Sequence, residues 1–225
     1  MYYTLDSVKV GFPLSFTATV DWDSLTNGQM DPTRRQEILP VLRKVHFNVV
    51  VTVGGSTVVP ESAATPSTPG EDSRAAAVVG STARALESLI GRWRFLKAVN
   101  IDPTSDYRIE DLGTEYQVRF KGADVRESML MNMSHAFVLK RMTISDATSS
   151  MTVLPNYRAT DEGLLLVGFK DLEQGSTNIQ DSADIRYAEI NGVRLPTEMI
   201  WKGDFAGHGM ATVDFSFSNY QFTQH

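Results

Sequence analysis

The sequence predicts a mainly β (α+β) fold, an antiparallel sheet with one long helix packed across it. Three observations predict it: period-two alternation in many short segments, tight-turn residues between them, and one long stretch of helical period. In Leu14-Ser15-Phe16-Thr17-Ala18-Thr19-Val20-Asp21-Trp22, apolar and polar residues alternate without a break. Successive strand side chains point to opposite faces, so such a strand has one buried and one wet face. The same rhythm recurs in Phe47-Asn48-Val49-Val50-Val51-Thr52-Val53, Tyr116-Gln117-Val118-Arg119-Phe120 and Val213-Asp214-Phe215-Ser216-Phe217.

Turn chemistry separates these segments. Asn191-Gly192 stands between Tyr187-Ala188-Glu189-Ile190 and Val193-Arg194-Leu195. Asn-Gly tolerates the positive φ angles of a type I′ turn, which makes this the most specific hairpin signal in the chain. Lys121-Gly122-Ala123-Asp124, Asp161-Glu162-Gly163 and Gly207-His208-Gly209 read as further turns. From about Tyr107 onward the pattern is a meander, and strands joined in sequence by tight turns run antiparallel.

Two segments follow the helical period. Asp31-Pro32-Thr33-Arg34 opens as a helix start, with Asp as N-cap and Pro at the first helical position. Pro40 is expected to limit or kink that helix. From about Asp72 to Ala98, apolar Val79, Ala83, Leu86, Ile90 and Trp93 form one stripe, filled in by Ala75 and Leu89. Such a helix amid strands packs across a sheet face. Between strands and helix, Pro60 to Gly70 is rich in Pro, Ser and Thr. It is expected to be an exposed, mobile loop, about residues 60–73, inside a single domain spanning 1–225.

Composition narrows the function classes. The chain has 225 residues, 42% of them hydrophobic, which suits a folded domain with a core of its own. A formal charge of −6 and a pI near 5.2 disfavour nucleic acid, which needs a basic face. With no cysteine, disulfides, thiolate catalysis and zinc-thiolate sites are excluded. No stretch approaches the ~20 apolar residues of a membrane helix.

The search for catalytic chemistry gives no site. His46, His135, His208 and His225 show no metal-ligand spacing. The Gly-x-Ser-x-Gly elbow is absent, and no Lys follows Gly54-Gly55-Ser56 or Gly80-Ser81-Thr82 as a phosphate loop requires. Asp181, Asp184 and Asn178 read as an ordinary acidic loop, because the calcium-loop order is missing. Asp171 and Glu173 fall on alternate positions of a strand end. The expectation is therefore no enzyme, no cofactor and no metal. One apolar feature remains: Met129, Met131 and Met133 share one strand face. Methionine fills irregular cores and also lines surfaces that adapt to varied apolar shapes.

The second half resembles the periplasmic lipoprotein-carrier superfamily, the LolA-like half-barrel proteins. The resemblance is carried by three runs. They are Asp161-Glu162-Gly163-Leu164-Leu165-Leu166-Val167-Gly168-Phe169, Ile185-Arg186-Tyr187-Ala188-Glu189-Ile190-Asn191-Gly192-Val193-Arg194-Leu195-Pro196-Thr197, and Val213-Asp214-Phe215-Ser216-Phe217-Ser218-Asn219-Tyr220. It implies a curved, incomplete β-barrel whose concave face is covered by the helix. It further implies a non-enzymatic envelope binding protein that shelters a lipid or acyl chain between sheet and helix. The residues expected at that ligand are Leu86, Ile90, Trp93, Met129, Met131 and Met133. The partner would be a lipid or an acylated protein, and not nucleic acid. A periplasmic or secreted location follows, with the leader absent from this sequence, since Met1-Tyr2-Tyr3-Thr4-Leu5-Asp6 has no signal pattern. A cytoplasmic location is the alternative. The rival function is a protein–protein interaction module with a fully packed interior.

Overall fold

Alternation sets the strands, and the computed structural model describes residues 2, 10–27, 29–62, 69–96, 106–121, 128–146, 148–205 and 209–223. Strand β1 (Leu14–Val20) buries Leu14, Phe16 and Ala18 while the residues between them face outward. Asp21 then ends the strand and caps α1 (Trp22–Thr26), its carboxylate accepting from the Ser24 amide at 3.1 Å. The alternation suggests strand as far as Trp22, but the strand ends two residues earlier, at Val20, where the Asp21 cap turns the chain. Helix α2 (Pro32–Leu42) starts as expected, with Asp31 as N-cap and Pro32 at its first position. Pro40 does not end it, and the helix continues to Leu42. The one bond that Pro40 cannot make lies in the last turn, where little helix remains to be lost.

Strands β2 (Val45–Val51) and β3 (Ser56–Ser62) form a hairpin around Gly54 and Gly55. Residues 60–62 thus belong to a strand, where a loop was expected. Pro60 fits because β3 is an edge strand, where a missing N–H leaves no ladder bond open. Helix α3 (Pro69–Leu96) takes up residues 69–73 of the expected loop. The rest of that loop, 63–68, lies outside the described residues, as do the expected turns at 122–124 and 207–208.

The meander follows: β4 (Tyr107–Asp111), β5 (Tyr116–Lys121), β6 (Ser128–Met133), β7 (Leu139–Ser145), β8 (Ser150–Thr160), β9 (Gly163–Leu172), β10 (Ile179–Ile190), β11 (Val193–Asp204) and β12 (Met210–Gln221). The structure is mainly β, with one long helix. Its strands are antiparallel in the order β3-β2-β1-β12-β11-β10-β9-β8-β7-β6-β5-β4, and the sheet is not closed into a barrel. At the β10–β11 turn Asn191 has φ 52° and Gly192 φ 77°, the two positive angles that a type I′ turn requires.

The chain divides into two compact units. The meander unit comprises residues 1–2 and 96–182. Its core includes Val118, Met131, Leu139, Val153, Leu165 and Phe169, all at most 2% exposed. Tyr2 is stitched into it: its hydroxyl donates to the Phe137 carbonyl at 3.0 Å and accepts from the Leu139 amide at 2.7 Å. The helical unit comprises residues 3–95 and 183–225, and holds α1, α2, nearly all of α3, and strands β1–β3, β11 and β12. Phe47, Leu195, Met199, Val213 and Phe215 are fully buried there.

Candidate ligand cleft

Within the helical unit, α3 has two halves with different surroundings. In its C-terminal half the expected stripe is buried: Leu86, Ile90 and Trp93 are 0% exposed and Leu89 is 1% exposed. Trp93 Nε1 donates to the Tyr187 hydroxyl at 3.0 Å, so the one polar atom of the stripe is satisfied.

The N-terminal half borders open space. Arg74, Ala77, Val78 and Ser81 form one side of a cleft of about 400 Å³. The remaining apolar wall comes from Leu25 of α1, Met30, Ile38 of α2, and Phe205 just past β11. Gln29 and Asp31 also line it, together with Arg34.

The local sequence explains why these elements meet. Asp23 ties α1 to α2 and its end. Its carboxylate accepts from Arg43 Nη2 at 2.7 Å and from Arg35 Nη2 at 3.2 Å. Arg35 Nε also donates to Thr26 Oγ1 at 3.0 Å, and the Thr26 hydroxyl in turn donates to the Trp22 carbonyl. The Arg43 hydrogen bond, aided by the nearby positive charges, holds the Asp23 carboxyl below the usual carboxylate range. This clamp fixes Leu25 and Ile38, 2% and 3% exposed, as the floor of the cleft. Gln29 Nε2 donates to the Met210 carbonyl at 2.9 Å and so tethers the segment between the helices to β12.

The polar groups at the cleft are unequal in their commitments. Asp31 Oδ1 accepts from the Thr33 and Arg34 amides at 3.0 and 3.3 Å, the ordinary work of an N-cap. Ser81 Oγ accepts from Arg84 at 3.1 Å. Arg34 and Arg74 are exposed, and among the described residues no hydrogen bond or ion pair engages either guanidinium.

The other expected site residues fall elsewhere. On β6, Met131 and Met133 are 2% and 4% exposed and Met129 is half-buried, so this face is largely core. These methionines belong to the meander unit, whereas Leu86, Ile90 and Trp93 belong to the helical unit. Asp181 and Asp184, expected in a loop, lie within β10, because the strand begins as early as Ile179. Asp171 is 1% exposed in β9. His46 Nε2 meets Glu61 Oε2 across the β2–β3 pair at 3.0 Å. Among the described residues no group of acidic or histidine side chains could hold a metal, and no helix is long and apolar enough to cross a membrane.

The residues of the cleft were missed by pattern reading. The one sequence signal is Val78, an apolar residue beside the stripe at Val79, Ala83 and Leu86 instead of on it. Comparison with protein-family models, curated proteins and solved structures finds no match to this chain.

Proposed function

We propose that the protein is a non-enzymatic binding protein of the cell envelope that shelters an apolar ligand, a lipid or acyl chain. The observation that carries this reading is the cleft of about 400 Å³ walled by Leu25, Met30, Ile38, Val78 and Phe205. Small-molecule sites are concave, mostly apolar and roughly 300–1,000 Å³, with a few polar groups that orient the ligand. The likeness of the strand pattern to lipoprotein carriers supports the same reading and, with it, a periplasmic or secreted setting. The ligand occupies the cleft beside the N-terminal half of α3.

The test is uptake of a fluorescent fatty acid by the purified protein and by Val78→Trp, which fills the cleft. Saturable binding that Val78→Trp abolishes supports the proposal. Absence of binding to the unaltered protein rejects it.

A second reading, a protein–protein interaction module with a packed interior, is favoured by the complete burial of Leu86, Ile90 and Trp93. Its natural contact is the edge strand β4, exposed along its whole length, where Tyr107 and Ile109 are 38% and 51% exposed. If no lipid binds, this reading replaces the first.

A further inference from the structure

We infer that the cleft takes a single-chain amphiphile with an anionic head, a carboxylate or a phosphate, held by Arg34 and Arg74. The inference rests on the reading of the cleft as a ligand site and adds the chemistry of the head group. The apolar wall described above suits the tail. The head is argued from charge. Two guanidinium groups and one carboxylate line the cleft of a chain whose formal charge is −6. The carboxylate, Asp31, already caps α2 through the Thr33 and Arg34 amides.

Position sharpens the argument. Arg34 and Arg35 lie in the opening residues of α2, where the helix dipole disfavours cations. Arg35 has a structural reason to be there: it bridges Thr26 and Asp23. Arg34 has no such partner among the described residues, nor has Arg74 on the α3 side of the cleft. Helix stability therefore does not explain Arg34. An anion at the cleft does, because a guanidinium fork donates two parallel hydrogen bonds to a carboxylate or phosphate. A neutral head gains none of this, and a cationic head is repelled.

The experiment compares dodecanoate, dodecyl phosphate and dodecanol as competitors of a fluorescent fatty acid, on the unaltered protein and on Arg34→Gln/Arg74→Gln. The expected result is that at least one anion binds about tenfold or more tightly than the alcohol, since charge-assisted hydrogen bonds have that reach. The double variant should erase that advantage and leave dodecanol within about twofold. Whichever anion gains more identifies the head as carboxylate or phosphate. Equal binding of all three by the unaltered protein overturns the head-group inference and leaves the cleft reading standing. Binding of none overturns both. The comparison among ligands on the unaltered protein needs no variant, so it decides even if the double variant folds poorly.

Discussion

The C-terminal half of α3 is packed and the N-terminal half stands beside open space, and side-chain size accounts for the difference. Leu86, Leu89, Ile90, Trp93 and Leu96 are large, and each is at most 1% exposed. Arg74, Ala75, Ala76, Ala77, Val78, Val79, Gly80 and Ser81 give the other half less apolar volume, with valine as its largest apolar side chain. Interiors reach crystal-like density only where side chains have the volume to interdigitate. A run of alanine, glycine and serine leaves space unless a neighbour fills it. The helix thus combines an anchor with the wall of a cleft.

Four measurements test this contrast, beginning with the largest effect. Trp93→Ala should cost about 3–5 kcal/mol in urea denaturation, because it opens a cavity in the packed half. A loss under about 1 kcal/mol would mean that this half is not close-packed. Ile90→Trp should cost roughly 1–3 kcal/mol through overpacking, with ligand uptake unchanged. In the open half, Val78→Trp should change stability by no more than about 0.5 kcal/mol, the range of ordinary surface substitutions. Similar losses from Ile90→Trp and Val78→Trp would erase the distinction between the halves.

The smallest effect concerns acid. Asp23 has a folded pKa lowered from its ordinary 3.8, chiefly by its hydrogen bond to Arg43. A carboxyl lowered on folding contributes stability above its unfolded pKa and loses it as pH falls through the folded value. The Asp23 clamp should therefore weaken below about pH 4, loosening the α1–α2 wall of the cleft. Asp23→Asn should flatten the acid limb of the stability curve, measured by thermal melts between pH 2 and pH 6. An unchanged acid limb would show that the clamp carries no stability.

Features set by near neighbours in the chain were legible. Asp31-Pro32 marks the start of α2, Asn191-Gly192 gives its turn, and spacings of three and four residues reveal α3. Helix α1 was not legible, because five residues are too few to show a period and Val20-Asp21-Trp22 continues the alternation. Pro60 hid the end of β3, since only the sheet order shows that this strand is an edge. The cleft was the least legible feature. Leu25, Ile38 and Val78 lie on three separate helices and Phe205 just past β11, and tertiary packing alone joins them. The stripe itself was read correctly as apolar. Its periodicity could not say whether it fills space or lines it.

The pairing of β1 with β12 has a consequence for how the chain comes together. Thr19 and Ser216 are 197 positions apart and lie side by side in register. Every pair from β4 to β9 instead joins strands adjacent in sequence. Closing a long loop is entropically costly and slows folding, whereas hairpins close quickly. On the ribosome, β1 can pair early with β2 on one side but must wait for almost the entire remaining chain for β12 on the other, while the hairpins from β4 to β9 have their partners at once. During that wait the edge of β1 that β12 later covers stays unpaired, and unpaired strand edges favour aggregation. Pulsed hydrogen exchange during refolding should protect amides of β5–β8 before those of β1 and β12. The reverse order would show that the distant pair forms first.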